Sequence, residues 1–460
     1  MKLLDTIAAI GTPYGTGGVA MIRISGSDAI TVGERIFRPA CKKNLSEIAH
    51  GQCVYGEIVM PNGDSVDDGM ATCFYSPRSF TGENTVEITC HGGILVTSKV
   101  LSAALSAGAR AAEAGEFTRR AYLSGKMKLT EAEALGNLLQ AGTEGQLALA
   151  RSGMKGHLSH RTEAIYEQLR SVMTSIFAAI DFPDEDLSEM SRDEIIASVE
   201  EGLFGIRRLA KTYKTGRAVS EGIPTVICGR TNAGKSSVYN QILGYDAAIV
   251  TNIEGTTRDV LRESAALGKT LLRLCDTAGL RNTEDPVESM GIERTREEMH
   301  RAGLILAVFD ASEEPRTEDL ELAREIAELG IPAIALWNKS DRETFADMTP
   351  LAGYFAQDVS VSAKNGEGFE ELATVIDGLF IDGDLSIGQE AIVTGARQFA
   401  ALSSAEEALE SALADLKAEL PLDLCCVGIE DALISLGQID GRELGEEIVS
   451  EIFSKFCVGK

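Results

Sequence analysis

The sequence predicts a multidomain chain of α/β and α+β segments, in which an alternating strand–helix segment is inserted into a helical domain behind a small α+β domain. Three observations lead there. At 460 residues the chain is too long for one core. Two blocks, 119–217 and 398–456, carry apolar residues at helical spacing, and the stretch between them alternates apolar runs with helices, the mark of a mostly parallel sheet. Residues 1–118 read as strand-like runs divided by Gly- and Pro-containing turns. The expected boundaries are 1–118 for the α+β domain, 119–218 for the first helical part, 219–382 for the inserted domain and 383–460 for the second helical part.

Each element has a local cause. In the first domain, residues 19–24, 54–59, 70–75 and 85–90 read as strands, and 94–107 as a helix ended by Gly108. Helical periodicity covers 129–146, 158–180 and 195–213, with residues 181–186 as an interrupting loop. In the inserted segment the apolar runs 224–228, 271–275, 304–309, 333–337 and 358–361 are the expected strands.

Composition excludes several classes. Hydrophobic residues make up 44% and charged residues 25%, ordinary globular usage. The net charge of −27 falls mostly in residues 222–460, so any contact with a polyanion is expected in the first half. No apolar run is long enough to span a membrane, and Asp5 sits where a signal peptide needs its apolar stretch. The nine cysteines form no C-x-x-C, and the five histidines give no zinc spacing with them. Reduced thiols in a cytoplasmic protein are the expectation.

The chemistry sits at the ends of the inserted strands. Residues 229–236 fit G-x-x-x-x-G-K-S, follow a strand and open a helix. Such a loop turns backbone N–H groups towards phosphate oxygens, with Lys235 reaching the β and γ phosphates and Ser236 ligating Mg²⁺. Asp276, Thr277, Ala278 and Gly279 end another strand, where Asp276 suits a carboxylate behind the Mg²⁺ shell. Asn338, Lys339 and Asp341 form N-K-x-D, whose carboxylate accepts two guanine N–H donors and rejects adenine. Ser362, Ala363 and Lys364 match a supporting base loop, and Gly255 to Asp259 a first switch in which Thr257 is a second hydroxyl ligand to Mg²⁺. A Ras-like P-loop GTPase domain is the expectation. Its nucleotide contacts are Asn232, Ala233, Gly234, Lys235, Ser236, Ser237, Thr251, Asn252, Ile253, Glu254, Gly255, Thr256, Thr257, Asp276 to Gly279, Asn338, Lys339, Asp341 and Ser362 to Lys364.

Two details narrow the mechanism. Leu280 stands where Ras-like enzymes carry a water-orienting Gln, so another group must place the water; Glu288 is close enough in sequence to act through a bridging water. The Asn232 side chain is placed to ligate a monovalent cation that supplies charge in place of an arginine finger.

The flanks carry a resemblance. Residues 5–19, Ile22 to Gly26, 80–87, His91 to Gly93, 115–126, 178–185 and the terminal Phe456-Cys-Val-Gly-Lys460 together resemble the MnmE (TrmE) family of tRNA-modification GTPases over essentially the whole chain. The resemblance implies a potassium-dependent GTP hydrolase that works with a flavin-dependent partner, MnmG. Together they form a 5-carboxymethylaminomethyl or 5-aminomethyl group on the wobble uridine of tRNA, using a folate one-carbon unit. It further implies a homodimer whose N-terminal domain binds 5-formyltetrahydrofolate or methylenetetrahydrofolate. Carried over by position, Arg23, Glu87, Lys126 and Lys460 are folate contacts, Asn232, Thr251, Ile253 and Thr256 a potassium site, Glu288 the water-orienting acid, and Cys457 a functional thiol. Thr231 replaces a common Pro of the phosphate loop, and the N-terminal Pro13-Tyr-Gly-Thr lacks an arginine found in many relatives.

A ribosome-assembly GTPase is the alternative, since it would share Asn232 and residues 255–259. It would normally carry a basic RNA-binding appendage, which this sequence lacks. The one basic cluster that fits RNA comprises Arg119, Arg120, Lys126 and Lys128 with Arg207, Arg208, Lys211, Lys214 and Arg217.

Overall fold

The computed structural model describes residues 5–181, 190–245, 263–275, 296–343, 346–383, 385–442 and 444–459. It divides into two compact units, one of residues 1–136 with 437–460 and one of residues 137–436.

The first unit is built on a seven-stranded sheet. Its strands are β1 (Ile7–Ile10), β2 (Val19–Ser25), β3 (Phe37–Pro39), β4 (Cys53–Val59), β5 (Ser65–Phe74), β6 (Thr85–His91) and β7 (Arg110–Ala111), in the order β3-β4-β5-β6-β2-β1-β7. All neighbours are antiparallel except β1 and β7. Because side chains alternate along a strand, Ala8, Ile22, Ile24, Val86 and Ile88 face one core with the helices Ala29–Ile36 and Ile94–Ser106. Ile7 and Ala9 face the other way, where Phe117 of the helix Glu116–Leu123 and Phe80 cover them.

That helix is anchored by buried charge. Arg120 is 3% exposed and reaches Asp5 (2.6 Å), Glu83 (3.1 Å) and Glu116 (3.0 Å), while Arg110 grips Glu116 at 2.6 Å. Burial works to raise the Glu116 carboxyl, but the two guanidinium groups and the Glu113 N–H outweigh it and hold the group below the ordinary glutamate range. A depressed carboxyl stabilises the fold above its unfolded value and stops doing so as pH falls through its folded one. Thermal melts are therefore expected to drop as the pH falls below about 4.5, and Glu116→Gln should flatten that drop. An acid profile unchanged in the variant would remove Glu116 as the cause.

The C-terminal segment belongs to this unit. The helix Glu446–Ser454 places Phe453 and Val449 against Leu129 and Ala132. Beyond it Phe456 packs against Gly136, where an added methyl group would come within 3.1 Å of the ring.

The second unit holds a six-stranded sheet: β8 (Ile223–Cys228), β9 (Glu263–Leu267), β10 (Thr270–Leu274), β11 (Leu304–Asp310), β12 (Ala333–Asn338) and β13 (Gln357–Val361), in the order β13-β12-β11-β8-β10-β9. Every pairing is parallel except β9 with β10, the hairpin at one edge. The central strands divide their side chains between two cores. Ile227, Leu306 and Leu336 join Val238 and Ile242 of the helix Lys235–Tyr245 on one face; Val226, Ala307 and Trp337 join Ala323 and Ile326 of the helix Thr317–Leu329 on the other. Runs buried on both faces read as continuous apolar segments, which is why the sequence located them.

Helices flank this sheet in the chain, with Glu144–Met154, His157–Asp181, Arg192–Lys211 and Tyr213–Ser220 before it and Ala396–Lys417 and most of Leu422–Asp440 after it. The strand–helix segment is thus inserted between helical blocks. Ala396–Lys417 packs along Arg192–Lys211. The hairpin tip is fastened on two sides. The Lys269 carbonyl lies where any Cβ on Gly145 would be 2.5 Å away, and the Lys269 N–H donates to the Asp377 carboxylate at 3.1 Å.

Two helical expectations need correction. The single helix over 129–146 is two, Leu129–Gln140 and Glu144–Met154, because Thr143 caps the second by accepting the Gln146 N–H after Gly142. The helix over 195–213 ends at Lys211, and a separate one follows from Tyr213. The block expected to be helical at 398–456 is helical, in three helices broken at Pro421 and at Gly441, whose φ is +89°.

Candidate functional site

In the second unit, strand ends bring three loops together. Gly229 leaves β8 at φ +145°, so close to β11 that a Cβ would lie 2.2 Å from the Val308 carbonyl. Gly234, at φ +100°, precedes the helix Lys235–Tyr245. Any side chain there would collide with the Asn338 amide, which donates to the Ala233 carbonyl at 2.9 Å. The Asn338 side-chain oxygen in turn accepts the Ala363 N–H at 3.1 Å. One asparagine thus fastens the phosphate loop to both base-reading loops. Asp341 accepts from Ser362 Oγ at 2.9 Å, and this donor holds its carboxyl below the usual aspartate range. Lys235 Nζ donates to the Gly229 and Arg230 carbonyls, both at 2.9 Å, which places the ammonium across the loop at a helix N-terminus. Ser236 follows in the first turn, half-buried. Asn232 is exposed with φ +65°, and its carbonyl accepts from Lys339 Nζ at 2.8 Å. Ser237 and Lys364 lie exposed at the same loops.

Behind these loops is a charge cluster. Asp310, at the end of β11, accepts from Lys339 Nζ and from Ser312 Oγ (2.6 Å). Burial works to raise its carboxyl, but Lys339 and Ser312 hold it low. Arg230 of the phosphate loop turns into the same cluster, 2.9 Å from Glu313 and 3.4 Å from Asp319.

In the first unit, Arg23 of β2 and Glu87 of β6 are register partners, joined at 2.7 and 2.8 Å. The guanidinium also lies 5.5 Å from the Phe80 ring centre and 5.7 Å from that of Phe117. The two expected contacts are therefore one composite group, an ion pair backed by aromatic faces. Lys126 is exposed, and its ammonium donates to the Pro77 carbonyl at 3.1 Å. The tail is seated on this unit. Val458 bridges to Ala114, the Cys457 carbonyl accepts the Gly115 N–H at 3.4 Å, and Gly459 is buried against the Ile10 carbonyl with φ +98°. Cys457 itself is exposed, whereas Cys73, Cys90 and Cys426 are buried thiols pushed up to about 11 and Cys228 to about 12.

A family model described as "GTP-binding protein TrmE N-terminus" matches residues 6–126, and one described as "MnmE helical domain" matches 129–457. The protein named tRNA modification GTPase MnmE in Symbiobacterium thermophilum is 40% identical over 458 residues, 99% of each chain. Its namesake in Ligilactobacillus salivarius is 38% identical over 460 residues, covering 99% of this chain and 98% of that one. The chain belongs to the MnmE family. The helical model of that family spans both helical blocks and the strand–helix segment between them, as the insertion requires.

For this MnmE-family chain, Thr251 to Thr257, Asp276 to Gly279, Glu288 and Lys460 lie outside the described residues, as does Leu280. Of the basic residues expected to meet RNA, one needs correction and several are ion-paired. Arg120 is interior; Lys128 pairs with Asp440, Arg207 with Glu406 and Glu410, Lys211 with Asp382 and Arg217 with Glu221. The cluster is divided between the two units. Asp310 and Arg230 were missed. Among the described residues no helix is long and apolar enough to cross a membrane, and no cluster of His, Cys, Asp and Glu is arranged to hold a metal ion.

Proposed function

We propose that the chain is a potassium-dependent GTP hydrolase that, with an MnmG-type flavin-dependent partner, installs the 5-carboxymethylaminomethyl or 5-aminomethyl group on the tRNA wobble uridine. The observation that carries the hydrolase reading is Asn338, whose amide holds the phosphate loop and the base-reading loops at once. Lys235 and the N–H groups of the following helix bind the β and γ phosphates, and Asp341 reads guanine. Ser236, with Thr257, is the hydroxyl set for Mg²⁺, and Asn232, with Thr251, Ile253 and Thr256, the oxygen set for K⁺. Hard cations favour such ligands. When bound, these ions neutralise the charge that develops on the transferring phosphate. Glu288 orients the attacking water.

Arg23, Glu87, Lys126 and Lys460 are the folate contacts of the N-terminal unit, and Cys457 acts in the modification step. The reading is supported by the tail, which lies on the same unit as the Arg23–Glu87 pair. Cytoplasmic location and a homodimer complete the proposal.

Replacing K⁺ by Na⁺ is expected to slow GTP turnover at least tenfold, since losing one charge-stabilising group at such a site costs on the order of 10²–10³ in rate. Equal rates in both salts would end the role of Asn232 in cation binding. Nucleoside analysis of tRNA from a deletion strain tests the modification, and intact wobble uridines with a ribosome-subunit defect would favour the assembly-GTPase reading.

A further inference from the structure

Asp310 belongs to none of the nucleotide motifs, yet it sits at their junction. Its side chain is 2% exposed at the end of β11, in register with Asn338 of β12. A carboxylate so withdrawn from water is stable only where its lone pairs are met by donors. Ser312 supplies two to Oδ1, its hydroxyl at 2.6 Å and its N–H at 3.1 Å. Lys339 Nζ supplies Oδ2, and Arg230 stands 4.0 Å from the same oxygen.

Lys339 is bound at both ends of an unusual geometry. Its own φ is +67°, and the residue whose carbonyl it holds, Asn232, has φ +65°. Left-handed conformations are uncommon for non-glycine residues and persist where the surroundings impose them. Here the ammonium ties the two together, and Asp310 fixes the ammonium from below.

We infer that Asp310 is a positioning residue: it aims Lys339 so that Asn232 is presented to the nucleotide and to its monovalent cation. The inference rests on the nucleotide-site reading above. Asp310 lies outside the nucleotide motifs and acts through Lys339, whose ammonium meets its Oδ2. Removing its charge should therefore loosen guanine-nucleotide binding and potassium use together.

The test is Asp310→Asn in the full-length protein. This variant keeps the shape and an oxygen for Ser312 but not the negative charge that faces Lys339. Binding of a fluorescent GDP analogue and the potassium concentration for half-maximal turnover are measured in wild type, D310N, K339M and the double variant. D310N is expected to weaken nucleotide binding about tenfold to a hundredfold, the worth of a charge-assisted hydrogen bond, and to raise the half-saturating potassium concentration. It should add nothing in the K339M background. A structural role alone would leave half-saturation by potassium unmoved. D310N indistinguishable from wild type in both readouts, or additive with K339M, overturns the inference while the nucleotide site stands. A wild type that binds no guanine nucleotide overturns the site reading and the inference with it.

Discussion

Asp341→Asn is expected to cost on the order of 10⁴ in GTP binding, the scale on which a site built around paired polar groups rejects a partner that no longer matches. In the proposed role the carboxylate accepts two guanine N–H donors side by side; an asparagine offers one acceptor and meets the second donor with its own N–H₂. The same variant should bind xanthine nucleotides better than wild type, because xanthine carries a carbonyl where guanine carries its amino group. The Ser362 hydroxyl that holds the Asp341 carboxyl low can still donate to the amide oxygen, so the loop itself should keep its shape. Competition binding with GTP and xanthosine triphosphate reads the outcome. GTP affinity close to wild type would mean that Asp341 does not face the base.

The second large effect is expected from Gly459→Ala. Its φ of +98° disfavours any side chain, and a Cβ there would stand 2.1 Å from the Ile10 carbonyl. Neither the strand backbone nor the tail can yield that much while the Ala114–Val458 bridge persists. The tail should leave its seat and carry Cys457 with it. GTP turnover, which depends on residues of the other unit, should be retained, while wobble-uridine modification in a complemented deletion strain should fall to background. Full modification by this variant would show that the seated tail is not needed for the chemistry.

The nucleotide loops were legible because their spacing is local: eight consecutive residues make the phosphate cradle, and four make the base reader. The central strands were legible for a different reason, being apolar on both faces. The edge strand β9 was not, since Glu263-Ser-Ala-Ala-Leu267 has none of the β-branched or aromatic residues that favour strands. Glu87 stands 64 residues from Arg23, and only the register of β2 with β6 makes them one group. Arg120 looked like surface charge because nothing local announces that Asp5 and Glu83 converge on it from distant segments to join Glu116 of its own helix. Asp310 was invisible for the same reason, its partner Lys339 lying one strand over.

The β9–β10 hairpin has a practical consequence. A two-residue bend at a sheet edge is ordinarily where a chain tolerates an inserted peptide or a bulky dye. Here the bend is wedged between the amide of Lys269 on the Asp377 carboxylate and its carbonyl on Gly145. Epitope tags or fluorophores introduced at 268–269 would prise a joint apart, and probes meant to report on the nucleotide-bearing sheet belong elsewhere on it.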